Sequence, residues 1–369
     1  MFHRKTPSIS PDLTAPLKVG SQGELVEDLQ RTLNAKLDPS PKLGTDGEFG
    51  SVTETALKAF QKSKGLEETG VTDAKTWEAL GPLVPPSDPQ ITADPATRQP
   101  ADDVKGVPFV TAKAWGVGDI ATGTIAHGDK VDERRDFAST TKLMTAYLVV
   151  KHAEAHPEVL QEVLTFSKAA DETPGSTAGV RTGERITVGE LLYGLMLPSG
   201  NDAATAYAEH FGTKLPATEG KDEAPSARFI AMMNATAAEL KMDSTRYVNP
   251  HGLTHADHKS TVRDQFQLAR AALQLPVLRA LVNTRQHRSV VDGPSGYRRE
   301  IVWKNTNKLL DIDGYEGVKT GTTDAAGACL ISLGKRDGVE AITVVLGATS
   351  SDARYTDSRN IFRYFWQNR

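Results

Sequence analysis

The chain has 369 residues, of which 38% are hydrophobic and 24% charged, with a mean hydropathy of -0.38 and a formal net charge of -4. These values exclude a membrane-embedded protein and a fully disordered chain, and so small a charge does not favour binding to nucleic acid or anionic lipid. The length predicts two domains or three. The single cysteine, Cys329, excludes an internal disulfide and a multi-cysteine zinc site.

The amino terminus lacks the apolar core of a secretory signal, although Arg4 and Lys5 would suit the start of one. No run of about 18 apolar residues occurs in the sequence. We therefore predict no transmembrane segment in this chain.

Residues 17–81 have the pattern of a small helical bundle. Leu25, Leu29 and Leu33 recur at four-residue spacing, and a glycine-rich turn at 44–50 separates them from a second apolar face. Glycine suits the positive φ angles of such a turn. We predict a three-helix all-α domain over this range.

Residues 82–104 are predicted to be a proline-rich linker. Six of the chain's 20 prolines fall between Pro82 and Pro100, and such a stretch favours extended, polyproline-like backbone over helix or strand. The linker separates the helical domain from a larger domain over residues 105–369.

The larger domain has strand-like patterns near both ends and helical patterns between them. Strands are predicted within 110–124, 328–333 and 340–346, and helices at 140–155, 188–210 and 357–366. Terminal strands of this kind come together in an antiparallel sheet with helices packed beside it. The predicted fold class is α+β, an antiparallel sheet flanked by helices with a helical subdomain, preceded by the three-helix domain.

Ser139 and Lys142 are three residues apart at the start of one predicted helix. Residues at this spacing share a helix face, so the lysine amine can reach the serine hydroxyl. A serine hydroxyl is a weak nucleophile that needs a neighbouring base, and a lysine that loses its charge through burial can be that base. Taken alone, the pair is also explained by an N-cap serine followed by a solvated lysine.

Two further segments carry residues suited to the same chemistry. Ser199 and Asn201 follow an apolar helix and offer a hydroxyl and an amide, and a later stretch offers Lys319 and Thr320. A side chain at Gly321 would occupy the space where substrate backbone must lie along a strand. Each segment alone is also explained as an ordinary polar turn.

These three segments, in this order, resemble the motif set of the serine penicillin-interacting enzymes. Over residues 105–369 the sequence resembles the low-molecular-weight D-alanyl-D-alanine carboxypeptidases, which are serine peptidases of the S11 class. Further stretches that carry the resemblance are 132–138, 249–253, 260–264, 305–310 and 325–327. The resemblance implies the fold that serine β-lactamases and D,D-peptidases share.

The resemblance implies a role for each residue of the first two motifs. Ser139 would be the acylated nucleophile, with Lys142 as its general base. Ser199 would relay a proton to the leaving group, and Asn201 would hydrogen-bond the substrate amide. The backbone amides of Ser139 and Thr322 would form the oxyanion hole.

The third motif is implied to bind the end of the substrate. Lys319 would keep a positive potential in the site, Thr320 would help bind the terminal carboxylate, and Gly321 would lie beside it on the same strand. Arg354 would help to anchor that carboxylate, and its alternative is a surface ion pair with Asp357.

Residues 17–81 resemble the helical peptidoglycan-binding module of cell-wall hydrolases. The resemblance rests on apolar and turn residues: Leu29, Leu33, 46–50, Thr53, Ala56, Phe60, Gln61, Gly65, Leu66, Thr76, Trp77 and Leu80. A helical bundle with another ligand is the alternative. The implied partners are peptidoglycan stem peptides and glycan, with β-lactams as covalent inhibitors of the larger domain.

Three histidines, His251, His255 and His258, are close enough in sequence to suggest a metal site. However, His251 belongs to a stretch that resembles the serine family, and no His-x-His or His-Glu-x-x-His pattern accompanies it. No Gly-x-Ser-x-Gly elbow supports a Ser-His-Asp triad either. We therefore predict neither a metal nor a cofactor.

The alternative functions are a D,D-endopeptidase, a class A-like β-lactamase, and a non-catalytic peptidoglycan-binding sensor or scaffold. A β-lactamase needs a carboxylate to activate its deacylating water, and the nearest candidate, Glu239, lies in a helical pattern. Gly200, where such enzymes usually carry aspartate, also favours the peptidase. The intact serines and lysines of the three motifs argue against a sensor.

The sequence thus predicts a serine-type D-alanyl-D-alanine carboxypeptidase that removes the terminal D-alanine from peptidoglycan pentapeptide stems and binds penicillin. Because that substrate lies outside the cytoplasm, we expect an extracytoplasmic protein with a trimmed or misassigned amino terminus, although no signal peptide is visible. The binding module is expected to raise the local substrate concentration without altering the chemical step.

Overall fold

The computed structural model describes residues 15–86, 108–217 and 223–369. Most of the predicted linker, and the predicted start of the larger domain at residue 105, lie outside these ranges, so these domain boundaries stay predictions. Within the described ranges, no helix combines the length and the apolar character needed to cross a bilayer.

The helices and strands are numbered in chain order. The α-helices are α1 (Glu24–Lys36), α2 (Ser51–Ser63), α3 (Ala74–Leu80), α4 (Lys142–Ala155), α5 (Lys168–Asp171), α6 (Val188–Met196), α7 (Asn201–Lys214), α8 (Pro225–Glu239), α9 (Val262–Leu273), α10 (Pro276–Val282) and α11 (Ala353–Gln367). The strands are β1 (Pro82–Leu83), β2 (Ala114–Asp119), β3 (Thr124–Asp129), β4 (Val163–Thr165), β5 (Arg185–Thr187), β6 (Gln286–Asp292), β7 (Arg298–Lys304), β8 (Tyr315–Thr323), β9 (Gly327–Arg336) and β10 (Val339–Ala348). Short 3₁₀ helices cover Ala138–Thr141, Pro157–Gln161 and Lys308–Asp311.

Helices α1, α2 and α3 form the predicted all-α unit. Leu29, Phe60 and Trp77 are buried at its centre. The side chain of Gln30 fixes the glycine-rich turn, because its amide donates to Asp46 Oδ1 over 2.8 Å. The predicted fold class of this region is confirmed.

The larger unit is built on a five-stranded antiparallel sheet in the order β3-β2-β10-β9-β8. Strand β2 pairs with β10, with Ala114 opposite Leu346, so the terminal strands come together as predicted. Because successive strand residues point to opposite faces, Val345 packs toward α11 whereas Val344 packs toward α9. Both faces of this sheet are therefore covered by helices.

A second sheet, in the order β1-β7-β6-β5-β4, has no counterpart among the predicted elements. Its central hairpin pairs β6 with β7 along their whole length, while β1, β4 and β5 have two or three residues each. Such short strands show no period-2 pattern. Strand β1 pairs in parallel with β7, so the first residues predicted as linker are part of this sheet.

The helix predicted over residues 188–210 consists of two helices. Helix α6 ends at Met196, α7 begins at Asn201, and Ser199 between them has a φ of 69°. Non-glycine residues adopt this left-handed conformation rarely, and strain of this kind concentrates at functional sites. The prediction of one helix is therefore wrong at the second motif itself.

Candidate functional site

Ser139 lies on a 3₁₀ turn that leads directly into α4. Ala138 before it has a φ of 50°, and the hydroxyls of Thr140 and Thr141 donate back to the Phe137 and Ala138 carbonyls over 2.7 and 2.8 Å. These bonds close the turn on itself. Ser139 is thereby fixed at the start of a buried helix while its own side chain stays partly exposed.

Lys142 is fully buried, and oxygen atoms surround its amine. Its Nζ lies 2.9 Å from Ser139 Oγ, 2.6 Å from Asn201 Oδ1 and 2.7 Å from the His251 carbonyl oxygen. The first two motifs therefore meet at one nitrogen atom. The alternative of a solvated lysine after a helix cap is wrong, because this side chain is 0% exposed.

The pKa of Lys142 lies well below the ordinary lysine range. Burial is the main cause, the charge of Lys319 adds to it, and the charge of Asp202 opposes it. A lowered pKa increases the fraction of neutral amine near neutral pH. Neutral Lys142 can accept a proton from the serine hydroxyl beside it.

The second motif places Ser199 and Asn201 at the start of α7. Ser199 is 5% exposed, and in the described part of the chain its Oγ has no hydrogen-bond partner. Other buried hydroxyls, such as that of Ser332, also have no partner among the described residues, so the position of Ser199 in the second motif, and not its lack of a partner, makes it a candidate. Asn201 accepts from Lys142 through Oδ1 and donates through Nδ2 to the Pro174 carbonyl over 2.6 Å.

Residues 172–184, which we call the site loop, connect α5 to β5 and cover the second motif. The buried carboxylate of Asp202 accepts from the Thr177 hydroxyl over 2.7 Å and from the amides of Ala178 and Gly179 over 2.8 and 3.0 Å. The loop is therefore fixed to the first turn of α7.

The third motif lies on β8, at one edge of the first sheet. Lys319 is 1% exposed, its Nζ donates to the Thr320 carbonyl over 3.0 Å, and the Thr320 hydroxyl lies 2.6 Å from that of Thr306. Burial, and then the charge of Arg354, lower the pKa of Lys319 to about 7. Near neutral pH this amine therefore exists in both charged and neutral forms.

Strand β8 runs directly against the turn that carries the nucleophile. A Cβ built at Gly321 would lie 2.8 Å from the Ser139 amide nitrogen and 3.0 Å from that of Thr140. A Cβ at Gly252 would come within 2.0 Å of the Ala138 carbonyl oxygen. We expected substrate backbone to require the glycine at position 321, but the backbone of the nucleophile itself occupies that space.

Arg354, at the start of α11, is 7% exposed and points to the third motif. Its guanidinium donates to the Gly321 carbonyl over 3.2 Å and to the Thr322 hydroxyl over 3.0 Å. The alternative of a surface ion pair with Asp357 is wrong, because Asp357 is buried and accepts from Thr111 instead.

Three residues that support the site were not predicted from the sequence: Tyr355, Thr306 and His251. The Tyr355 hydroxyl accepts from Arg354 over 3.2 Å and donates to the Thr306 carbonyl over 2.7 Å, and Thr306 contacts Thr320. The His251 carbonyl holds the general base candidate. Thr306 and His251 lie in stretches that carried the family resemblance, whereas no sequence signal pointed to Tyr355.

One of the clustered histidines, His258, supports the nucleophile's turn. His258 Nδ1 accepts from the Val248 amide over 3.1 Å, so the proton sits on Nε2, which lies 2.8 Å from Thr141 Oγ1. Mainly through burial, the pKa falls to about 3 for His251 and to about 4 for His258. Among the described residues, no three histidine, cysteine or acidic side chains are placed to share a metal ion.

The site buries three basic side chains that have no direct carboxylate partner among the described residues. Lys142, Lys319 and Arg354 are buried, and in the described ranges none of them donates a hydrogen bond to a carboxylate. A ligand carboxylate would pair with the guanidinium of Arg354 and with the charged form of Lys319. A serine beside the neutral amine of Lys142 can attack a carbonyl carbon. The arrangement suits acyl transfer from a substrate that ends in a carboxylate.

Residues 101–350 match the family described as D-alanyl-D-alanine carboxypeptidase, peptidase S11, and residues 22–80 match the putative peptidoglycan binding domain. The D-alanyl-D-alanine carboxypeptidase of Streptomyces sp. strain K15 is 35% identical over 250 residues, which cover 66% of this chain and 83% of that protein. DacC of Escherichia coli K12, also named a D-alanyl-D-alanine carboxypeptidase, is 30% identical over 277 residues, 72% of this chain and 64% of that protein. The D-alanyl-D-alanine endopeptidase of the same strain is 28% identical over 281 residues, 76% of this chain and 84% of its own.

Solved structures give a similar result. The crystal structure of the Streptomyces K15 DD-transpeptidase matches with a TM-score of 0.66 at 33% identity, over 71% of this chain and 100% of that chain. DacD of Francisella tularensis, a D-alanyl-D-alanine carboxypeptidase, matches with a TM-score of 0.60 at 28% identity, over 76% of this chain and 75% of its own. These likenesses confirm the predicted fold class of the larger unit.

Proposed function

The chain belongs to the D-alanyl-D-alanine carboxypeptidase family of serine peptidases, and from this premise we propose that Ser139 removes the terminal D-alanine from peptidoglycan pentapeptide stems. The observation that carries the proposal is the 2.9 Å contact between Ser139 Oγ and the amine of Lys142. That amine is buried and has a lowered pKa, as a general base for serine requires.

In the first step, the Lys142 amine accepts the Ser139 proton as Oγ attacks the carbonyl carbon of the penultimate D-alanine. The new C–O bond moves the carbonyl π electrons onto oxygen, where the amides of Ser139 and Thr322 donate hydrogen bonds. The close approach of Gly321 to the Ser139 amide supports this pairing, because Thr322 is the next residue on β8.

In the second step, the tetrahedral intermediate collapses, the C–N bond breaks and D-alanine leaves. The leaving nitrogen takes up the proton from Lys142 through the hydroxyl of Ser199, which is buried and unpaired in the described structure. Water then attacks the acyl carbonyl carbon while Lys142 accepts its proton, the C–O bond to Ser139 breaks, and the proton passes from Lys142 to Ser139 Oγ. Asn201 holds the base and hydrogen-bonds the substrate amide.

The carboxylate of the terminal D-alanine is proposed to lie beside Lys319 and Thr320. Two buried cations near this point, Lys319 and Arg354, lack a carboxylate partner in the described structure, so an anionic ligand would find both charges available. Arg354 also fixes the end of the strand through Gly321 and Thr322, which keeps the binding surface in place.

Penicillin binding is typical of this family, and we propose that a β-lactam acylates Ser139 and leaves it slowly. Glu239, the carboxylate weighed as an activator of the deacylating water, is the exposed last residue of α8. Its exposure supports a long-lived penicilloyl-enzyme rather than β-lactamase activity.

Peptidoglycan is the partner that the match over residues 22–80 indicates. We propose that both the stem peptides and the glycan take part, and that the protein acts outside the cytoplasm. On this unit, a groove of about 730 Å³ lies between α2 and the segment after α1, lined by Leu37, Pro39, Val52, Thr55 and Ala59 among others. Its mixed apolar and hydroxyl lining suits a wall fragment.

Covalent labelling with a fluorescent penicillin tests the nucleophile. We expect the wild-type protein to be labelled and to keep its label for long times, and Ser139→Ala to give no label. Ser63→Ala, at the end of α2, is the matched control and should be labelled like wild type. An unlabelled wild-type protein would exclude the proposed enzyme, whereas equal labelling of Ser139→Ala would exclude only this nucleophile.

D-Alanine release from a diacyl-Lys-D-Ala-D-Ala peptide tests the reaction. Release in water without any other acceptor supports the carboxypeptidase. Because relatives are named endopeptidase and DD-transpeptidase, the assay is repeated with cross-linked muropeptides and with an added amine acceptor. Cleavage of cross-links without D-alanine release would assign an endopeptidase, and an amide product would assign a transpeptidase.

A further inference from the structure

The three-helix unit is packed onto the second sheet. Leu83 pairs with Arg299 of β7, and the ring of Trp77 meets that of Tyr297 edge-on, with the centroids 5.6 Å apart. Both Leu83 and Tyr297 are buried in the apolar core of the three-helix unit. A shared core of this kind restricts the relative motion of two units.

Arg181, on the site loop, reaches across this interface to α1. Its guanidinium contacts Asp28 Oδ2 and Glu24 Oε2, each over 3.0 Å. Asp28 is only 2% exposed, so water has little access to the pair. Asp28 also pairs with Arg31, so removing Arg181 would leave Asp28 with one basic partner, and removing Asp28 would leave Arg181 with Glu24 alone. Breaking one pair of an enclosed ion-pair network is costly.

The same loop is anchored to the second sheet. The fully buried carboxylate of Glu184 accepts from the Arg299 guanidinium over 3.0 and 2.6 Å, from the Tyr297 hydroxyl over 2.9 Å and from the Arg181 amide over 2.8 Å. Arg299 also donates to the Gly179 carbonyl over 2.7 Å. The interface and the site loop therefore share the same side chains.

Near its other end, the site loop contacts the second motif of the catalytic site. The Ser176 carbonyl accepts from the Asn201 amide over 2.7 Å, and the Pro174 carbonyl accepts from Asn201 Nδ2 over 2.6 Å. Asn201 Oδ1 in turn holds the Lys142 amine. A continuous series of contacts thus joins α1 of the three-helix unit to the general base.

We propose that the docked peptidoglycan-binding unit positions the site loop, with Arg181 as the positioning residue, so that Asn201 holds Lys142 in productive geometry. This inference rests on the function proposed for Ser139 and Lys142. Small displacements of catalytic groups have large effects on rate, about 10²-fold for 1 Å. The unit would then contribute to the chemical step, in contrast to the expectation that it only raises the local substrate concentration.

Wall binding and loop positioning use different parts of the unit. The loop contacts Glu24 and Asp28 on α1, whereas the groove of about 730 Å³ is lined by α2 residues such as Thr55 and Ala59 and by the segment after α1. Neither acidic residue lines the groove. Substitutions can therefore separate the two roles.

The test compares acylation of the full-length protein by a fluorescent penicillin among wild type, Asp28→Ala, Arg181→Ala and the double variant. Each single substitution should lower the second-order acylation rate constant about tenfold, and the double variant should be no slower, because both changes break the same link. For D-alanine release, kcat should fall while KM changes little. Binding to isolated cell walls should equal that of wild type, and Arg181→Lys should recover part of the rate.

Glu54→Ala is the matched control, because it breaks a partly exposed ion pair with Lys58 on α2, and neither residue contacts Arg181. It should acylate like wild type. Circular dichroism at the assay temperature identifies the folded variants, and Arg181→Lys provides the comparison if Asp28→Ala does not fold. Wild-type rates in all folded interface variants, with or without a lower melting temperature, would overturn this inference. An unlabelled wild-type protein would instead overturn the proposed function.

Discussion

Two regions of the molecule bury basic side chains, and they do so in opposite ways. Between the three-helix unit and the second sheet, Arg299 donates to the buried carboxylate of Glu184 through two nitrogen atoms. In the catalytic site, Lys142 and Lys319 are 0% and 1% exposed, yet among the described residues neither amine donates to a carboxylate.

The direction in which the pKa of a buried basic group shifts depends on whether an acidic group lies beside it. Burial alone lowers the pKa of a basic group, but the charges around Arg181, with Asp28 the foremost, raise the pKa of this guanidinium above its ordinary value. The pKa values of Lys142 and Lys319 are lowered, because burial and a second cation act in the same direction. Paired arginines therefore stabilise the interface between the three-helix unit and the second sheet, whereas unpaired lysines supply a base and an anion site.

The largest effect is expected where the unpaired base is removed. Lys142→Met should lower the rate of penicillin acylation by about 10³-fold, or about 4 kcal/mol of activation free energy, because Ser139 loses its base. In wild type, the same rate should fall as the pH is lowered through the depressed pKa of Lys142, because the protonated amine cannot accept the serine proton. Time-resolved fluorescent penicillin labelling measures both effects.

Lys151→Met is the matched control for this substitution. Lys151 lies on the same helix but is exposed and pairs with Glu154 over 2.6 Å. It should keep the wild-type acylation rate. A Lys142→Met variant that retained more than about a tenth of that rate would refute the role of Lys142 as general base.

A smaller effect, on stability, is expected when the paired region loses its carboxylate. Glu184→Gln keeps the shape of the side chain but leaves the guanidinium of Arg299 buried without a counter-charge. The free energy of unfolding should fall by about 3 kcal/mol, the usual cost of breaking a buried ion pair. Urea unfolding followed by circular dichroism measures the change.

Glu300→Gln provides the comparison, because Glu300 follows Arg299 on β7 and pairs with Arg288 in a less enclosed setting. Its loss should cost less than about 1 kcal/mol. Equal costs for the two substitutions would show that enclosure of the Glu184 pair contributes nothing to stability.

The contrast between the two regions also explains how far the sequence could predict the molecule. Ser139 and Lys142 are separated by three positions, so helix geometry alone brings their side chains together. Glu184 and Arg299 are 115 positions apart, and Arg181 and Asp28 are 153 apart. No periodic pattern links residues at such separations in sequence, so the interface between the three-helix unit and the second sheet could not be predicted.

The same limit applies to the two sheets and to the last helix. Strands β9 and β10 have ten residues each and are joined by a tight turn, so the sequence predicts them, whereas β1, β4 and β5 are stabilised only by distant partners. Arg354 and Asp357 are buried on α11 although polar residues of an amphipathic helix are expected to face water. Their hydrogen-bond partners on other segments compensate for that burial, and such partners are visible only in three dimensions.

The smallest of the three effects concerns Lys319, a buried cation close to a second one. Lys319→Met should raise the free energy of unfolding near neutral pH by about 2 kcal/mol, because an apolar side chain avoids the cost of burying charge. The same change should weaken binding of substrates that end in a carboxylate. The free energy of unfolding would then increase, the opposite of the expectation for Glu184→Gln, while substrate binding decreases.

The lowered pKa of Lys319 also predicts the direction in which the free energy of unfolding changes with pH. In the folded protein the pKa of Lys319 is about 7, below its ordinary value of 10.5. Between these values the unfolded chain binds more protons, so wild-type stability should rise with pH, by up to about 1.4 kcal/mol per pH unit for this group. In urea unfolding across this window, Lys319→Met should show a smaller slope, whereas the exposed Lys335→Met on the same sheet should keep the wild-type slope. Equal slopes in wild type and Lys319→Met would mean that Lys319 is charged in the folded protein throughout this range.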